Sequence, residues 1–181
     1  MSEIYFPAED SYLMSETLET EIPKLLNKNP DLKLLEIGIG SGINLITAKS
    51  AGVKLEKVLG TDINVKSVEQ CKELGFDCFE SDLFESIDGK FDILIFNPPY
   101  LPLDKREPKE SQLATTGGKK GNEIIIRFLQ EAREHLNKGG VILLITSSLA
   151  ENVDFKELGY LAKKINSKKL FFEELFVWEL I

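Results

Sequence analysis

An α/β fold with a mostly parallel sheet is what this 181-residue sequence predicts, and three features of the chain point to it. From Asp31 onward, short apolar runs alternate with amphipathic stretches, the pattern of βα units whose strands are buried on both faces. A glycine turn, Gly38-Ile39-Gly40-Ser41-Gly42, follows directly on the apolar run Leu34-Leu35-Glu36-Ile37 and opens a helical pattern, as in a first βα crossover that cradles a ligand. The final stretch, Phe171 to Ile181, is rich in aromatic and β-branched residues and reads as a closing strand.

In chain order, residues 11–27 place Leu13, Met14, Leu18, Ile22 and Leu25-Leu26 at helical spacing, with Pro23 expected to bend or interrupt the helix. Strands are expected at 33–37, 57–61, 77–80, 91–96 and 141–146. Between them, 42–51, 65–74 and 122–136 carry apolar residues at helical spacing. In the last of these, Ile125, Ile126, Phe128, Leu129 and Ala132 would face the sheet, Arg127, Glu131 and Glu134 would face water, and Asn122 would be the N-cap. The closing strand is expected to pair with one near 162–168. Residues 101–121 lack periodicity, and a run of that length reads as a mobile, substrate-facing loop. There is no internal repeat and no linker, so residues 1–181 are expected to form one domain, a size at which a 43% hydrophobic chain builds a full core.

The bulk properties narrow the function. A net charge of −8 repels a phosphate backbone, so nucleic acid is a disfavoured partner, although Lys105-Arg106 and Lys119-Lys120 form small basic clusters. No stretch approaches the roughly 20 apolar residues of a membrane span, and the N-terminus lacks a secretory pattern, so a cytoplasmic location and no membrane partner are expected. Cys71 and Cys78 form no CxxC pair. With His135 as the single histidine, no zinc-type ligand set can be assembled and no metal site is expected.

The chemistry concentrates at strand ends. Asn97-Pro98-Pro99-Tyr100 follows the apolar run 91–96, and two successive prolines fix two φ angles and remove two N–H groups. The Asn97 side-chain oxygen and the Pro98 main-chain oxygen then form an acceptor pair for the two hydrogens of one planar –NH2 group. Upstream, Asp62 lies about 20 residues beyond the glycine turn, where a carboxylate binds ribose hydroxyls. The glycines spell GxGxG, with Ile43 where a dinucleotide fingerprint has its third glycine, and Glu36 at the mouth of the turn suits a cationic ligand better than a pyrophosphate. Asp82 can accept from an adenine amino group while the Leu83 N–H meets the ring. S-adenosylmethionine, with an ammonium and a sulfonium and no phosphate, fits this set.

With those residues assembled, the chain resembles the seven-stranded Rossmann-like S-adenosylmethionine-dependent methyltransferases, and within them the HemK family of protein-glutamine N5-methyltransferases, from Tyr5 to about Thr146. The stretch Tyr5-Phe6-Pro7-Ala8-Glu9-Asp10-Ser11 is similar to a signature of the short archaeal and eukaryotic branch, with Ser11 in place of a common threonine. The resemblance implies a mostly parallel sheet with an antiparallel closing strand, helices on both faces, and an N-terminal segment, 1–30, covering the cofactor on a core of 31–181. It implies that Ser11, Glu36, Gly38, Gly40 and Gly42 touch or flank the cofactor, as do Asp62, Ile63, Asp82, Leu83 and Asn97. It also implies that Asn97, Pro98, Pro99 and Tyr100 hold the substrate amide, with Asn97, Pro98 and Tyr100 in the catalytic roles.

The implied reaction is methylation of the glutamine in the Gly-Gly-Gln motif of a translation release factor, with S-adenosylhomocysteine as product. The helical domain that precedes the core in bacterial relatives is not evident, so docking is expected from 101–121 or from a partner. A small zinc-binding activator subunit is implied at the edge formed by Phe76-Asp77-Cys78-Phe79; the alternative is that both phenylalanines pack under a neighbouring helix. Three other functions share these residues: an amino-methyltransferase acting on a flipped base, a protein-lysine methyltransferase, and a non-catalytic module with a cofactor-shaped pocket.

Overall fold

The computed structural model describes residues 4–104, 106 and 108–181; Lys105 of the first basic cluster lies outside the described residues. The chain runs α1 (Glu9–Lys28), β1 (Leu34–Ile37), α2 (Ile43–Ser50), β2 (Val58–Asp62), α3 (Val65–Glu73), β3 (Asp77–Glu80) and β4 (Phe91–Phe96). It continues with β5 (Leu101–Pro102), α4 (Lys109–Thr115), β6 (Thr116–Gly118), α5 (Glu123–Ala132), β7 (Leu136–Ser147), β8 (Ala162–Lys169) and β9 (Glu174–Leu180). Seven strands form one sheet in the order β3-β2-β1-β4-β7-β9-β8. The β3-β2-β1-β4-β7 portion is parallel, and β9 runs antiparallel to both β7 and β8. The chain reverses its direction of travel across the sheet between β1 and β4, and in such sheets the crevice beyond the carboxyl ends of those two strands is where ligands bind.

Alternation along the strands divides the core between the two faces. Leu34, Ile93, Ile95 and Leu143 pack against Leu13, Met14, Leu18 and Ile22 of α1, Leu45 of α2 and Val68 of α3. Leu35, Leu94, Ile142 and Leu144 pack against Ile125, Phe128, Leu129 and Ala132 of α5. Helix α1 begins two residues before the expected start and passes through Pro23 without a break. Pro23 is exposed, and the carbonyl of Glu19, also exposed, can take its missing hydrogen bond from water.

Four expectations need correction. The helix expected to reach residue 136 is α-helical to Ala132 and 3-10 over Arg133–His135, and Leu136 already pairs with Phe91 as the first residue of β7. The register slips between Phe91 and Ile93, and the extra residues of β7 include Gly139, at φ 81°, and Gly140, where a Cβ would lie 3.0 Å from the Asp92 carbonyl oxygen. Asn122 occupies the N-cap position of α5 without capping it; its amide donates instead to the carbonyls of Glu151 and Asn152 at 3.1 and 3.4 Å. Residues 101–121 contain α4 and the short parallel ladder β5–β6 rather than an irregular loop throughout. The closing strand starts at Glu174, not Phe171, because residues 170–173 turn the chain back, with Leu170 N–H bonded to the Glu173 carbonyl at 2.7 Å.

Phe76 is buried and Phe79 packs against the α5-side core, so at the β3 edge both rings point into the protein. Among the described residues no helix is long and apolar enough to cross a membrane, and no group of three or more His, Cys, Asp or Glu side chains could hold a metal ion.

Candidate active site

The glycine turn leaves β1 with Gly38 at φ 69°, Gly40 at φ 48° and Gly42 at φ 82°, a run of left-handed backbone that side chains would strain. Its N–H groups are tied to β2: Gly38 and Ile39 donate to the Thr61 carbonyl at 2.7 and 3.1 Å, and Gly40 donates to Asp62 Oδ2 at 2.9 Å. The other Asp62 oxygen takes the Asn64 N–H at 2.8 Å. Asp62 is therefore a brace for the turn before it is anything to a ligand. Burial holds its carboxyl above the usual range, against the lowering effect of those backbone donors.

Beneath the turn, Glu36 is 1% exposed. Its Oε1 accepts from Asn44 Nδ2 at 2.8 Å, while Oε2 has no hydrogen-bond partner among the described residues. Burial raises the Glu36 carboxyl well above the ordinary carboxylate value. A buried carboxylate oxygen without a donor is costly, and a cationic or N–H-bearing ligand would relieve it.

Asn97 leaves β4 beside the turn, because Phe96 is in register with Ile37. Its Oδ1 is also buried without a partner among the described residues. Two glycines make the Pro-Pro turn possible. A Cβ on Gly117 would lie 2.5 Å from the Pro99 oxygen, and one on Gly121 would lie 2.3 Å from the Tyr100 oxygen. The glycine-rich run after Thr116 thus packs backbone to backbone against the Asn97–Tyr100 corner. On the corner's other side, Asp10 is 5% exposed and takes four donors: Tyr5 Oη at 3.1 Å, Tyr100 Oη at 3.2 Å, and the Ser11 N–H and Oγ at 2.6 and 3.2 Å. Burial, followed by the Asp10 charge, pushes both tyrosine hydroxyls well above their usual range, so they remain protonated donors.

At the far end, Leu83 adopts φ 47° although it is not glycine, and Ser81 Oγ donates to its carbonyl at 2.9 Å. A left-handed leucine is a strained conformation that the surrounding packing has to impose. Asp82 does not stand free, since Arg127 Nη2 of α5 bonds to its Oδ1.

These groups surround one cavity of about 680 Å³. Ser11, Glu36, Gly38, Gly40, Asp62, Ile63, Asp82, Leu83, Asn97, Pro98 and Pro99 all line it. Gly42 and Tyr100 do not. Gly42 is the N-cap of α2, where a Cβ would meet Cys71 Sγ at 2.7 Å, and the Tyr100 hydroxyl is turned to Asp10. The volume, the partnerless Glu36 oxygen at one point of the wall and the partnerless Asn97 oxygen at another fit a nucleoside-sized cationic ligand next to a donor-bearing substrate group.

Comparison with known proteins agrees with that geometry. The model of the Eco57I restriction-modification methylase family matches residues 16–173. A protein of Methanocaldococcus jannaschii named as a protein N5-glutamine methyltransferase is 42% identical over 187 residues, covering 97% of this chain and 90% of that one. The chain belongs to the Eco57I-type methylases and to the protein N5-glutamine methyltransferase family. The resemblance read from Asn97-Pro98-Pro99-Tyr100 and from Tyr5–Ser11 is thereby established as kinship. The eRF1 methyltransferase catalytic subunit of Schizosaccharomyces pombe is 28% identical over 166 residues, 79% of this chain and 72% of that one. Among solved structures, a Thermus thermophilus 16S rRNA N2 G1207 methyltransferase in complex with AdoMet and guanosine superposes with a TM-score of 0.59 at 18% identity, covering 96% of this chain and 43% of that one, which shows a shared methyltransferase fold.

Four residues of the site carry no spacing signal of their own: Tyr5 and Asp10, Asn44 under Glu36, and Arg127 on Asp82. Tyr5 and Asp10 lay inside the N-terminal signature, which was the available signal. Arg127 faces water, as its place in the helical period predicts, and the reach of its side chain to Asp82 is a tertiary contact without a spacing rule.

Proposed function

We propose that the chain is an S-adenosylmethionine-dependent methyltransferase that N-methylates the side-chain amide of the glutamine in the Gly-Gly-Gln motif of a translation release factor. One observation carries the reading: the Asn97 side-chain oxygen, on the wall of the cavity and buried without a partner among the described residues, is an acceptor awaiting a donor. A primary amide brings two N–H groups, and the Pro98 carbonyl beside Asn97 is the natural acceptor for the second. The names of the archaeal and fission-yeast relatives support glutamine of a termination factor as the bearer of that amide.

S-adenosylmethionine, when bound, supplies an electrophilic methyl group. On this reading Glu36 holds its ammonium, Asp62 its ribose and Leu83 with Asp82 its adenine, while the described part of the N-terminal segment, residues 4–30, covers it through Tyr5, Asp10 and Ser11. The corner orients the amide plane and, by accepting both of its hydrogens, favours charge build-up on a nitrogen that is otherwise a poor nucleophile. Tyr100, anchored to Asp10, fixes where that corner stands. No strong base is required beside the nitrogen, because an alkylated amide nitrogen is acidic enough to lose its proton to water.

The assay is mass spectrometry of a release factor co-expressed with the wild-type protein and with Asn97→Ala. The wild type should add one methyl to the Gly-Gly-Gln glutamine. The variant should lose about 10²–10³-fold in kcat while S-adenosylhomocysteine affinity by calorimetry falls only modestly. Near-normal turnover by Asn97→Ala would remove Asn97 from its role. The Eco57I-family match supports a second reading, in which the same four residues hold a flipped base; methylation of oligonucleotides but not of the release factor would select it. An activator subunit at the β3 edge and a cytoplasmic location complete the proposal.

A further inference from the structure

Beside the reactive corner stands a surface that takes no part in the chemistry. The turn between β8 and β9 exposes Phe171 at 90% and Phe172 at 84%, packed edge to face on each other with ring centroids 4.5 Å apart. Exposed contiguous aromatic surface of this kind marks an interaction site. Several contacts fix where the turn stands. The side chains of Ser147, at the carboxyl end of β7, and Glu173 hydrogen-bond at 2.5 Å. Lys168 Nζ pairs with the Glu9 carboxylate at the start of α1. The Glu173 charge is close enough to Tyr5 and Tyr100 to raise both hydroxyls further. The turn therefore lies at the same end of the sheet as the carboxyl ends of β1 and β4, next to the Tyr5–Asp10–Tyr100 cluster that backs Asn97.

At its turn end β8 carries Lys168, paired with Glu9, and Lys169, in register with Glu174, whereas Lys163 and Lys164 lie at the other end of the strand, opposite Glu179 and Trp178. Lysines on an edge strand discourage pairing with other strands; that requirement does not account for two bare phenylalanines at the strand's end. A macromolecule that delivers one side chain to Asn97 must also cover the surface around the cavity mouth, and the two exposed rings are an apolar part of that surface.

We propose that the β8–β9 turn is the docking surface for the protein that bears the target amide, with Phe171 and Phe172 taking an apolar segment of it. The inference rests on the activity proposed above and adds to it the chemistry of the substrate. Two other occupants fit less well. A second copy in a two-fold dimer would set the β8 lysines of one chain against those of the other. A membrane lying on the turn would cover the cavity mouth that the substrate needs.

The test compares wild type with Phe171→Ser/Phe172→Ser, on a full-length release factor and on a short synthetic peptide spanning its Gly-Gly-Gln. Removing the rings should raise KM for the full-length protein by about tenfold or more, with kcat within about twofold. Peptide kcat/KM, S-adenosylhomocysteine affinity and melting temperature should hold. An unchanged KM for the full-length protein would overturn the docking surface, whether the rings prove to bind anionic phospholipid vesicles, to self-associate, or to bind nothing. Equal losses on protein and peptide would overturn it too, by making the turn a support for the corner. If wild type methylates neither acceptor, the activity itself fails, and the surface with it.

Discussion

Asp10 shows how one side chain can organise a site without touching the reacting atoms. Tyr5 and Tyr100 reach it from opposite sides, so a single buried carboxylate clamps the N-terminal segment to the Asn-Pro-Pro-Tyr corner. Asp10→Asn keeps the volume but presents an amide –NH2 where a hydroxyl donor now finds an acceptor. The expected loss is about 1–3 kcal/mol in urea unfolding, with a lower kcat and little change in cofactor affinity. Glu36 offers a pH-dependent counterpart. Its folded carboxyl sits well above its value in the unfolded chain, so folding takes up a proton between the two values and stability falls as pH rises from about 4.3 through the raised one. Glu36→Gln removes that slope. The variant should match wild type in acid and exceed its melting temperature at pH 7–8 in the absence of ligand, while binding S-adenosylhomocysteine more weakly; a melting series from pH 4 to 9 with calorimetry checks both.

At the scale of elements, the corner is held by backbone packing from residues that a spacing analysis passes over. Thr115-Thr116-Gly117-Gly118 looks like loop composition, and nothing in its periodicity announces the β5–β6 ladder. The signal was chemical: glycine where two main chains must touch. Gly117→Ala places a Cβ 2.4 Å from the Gly121 oxygen and 2.5 Å from the Pro99 oxygen, neither of which belongs to a side chain that could swing away. The expected cost is about 1–3 kcal/mol in stability, accompanied by a fall in kcat as the corner shifts; denaturation and steady-state kinetics on the same preparation would show it. The long helices and the parallel strands, by contrast, were legible because each repeats a period over many residues, and errors gathered at ends such as Ala132 and Glu174, where a turn rather than a period decides.

For the molecule as a whole, the two cores lie on opposite faces of one sheet, and the cavity opens where β1 and β4 part. A ligand that fills it braces the glycine turn, the corner and α1 together. Saturation with S-adenosylhomocysteine at about 100 times its Kd should add roughly 2.7 kcal/mol, a rise in melting temperature of about 5–10 °C for a chain of this size. Asp62→Ala should lose most of that rise, because the carboxylate both braces Gly40 and is assigned the ribose; differential scanning fluorimetry reads the difference.

The order of strands, the glycine turn, the paired prolines and the acidic residues at successive strand ends could all be read in one dimension. Periodicity, φ restriction and charge are local properties, and they carry through to the folded chain unchanged. Which of those residues keep a free valence could not be read that way. Asp82 is occupied by Arg127, Tyr100 by Asp10 and half of Glu36 by Asn44, whereas the Asn97 side-chain oxygen finds no partner among the described residues, because hydrogen-bond satisfaction is settled among groups from distant parts of the chain that meet only when both cores close.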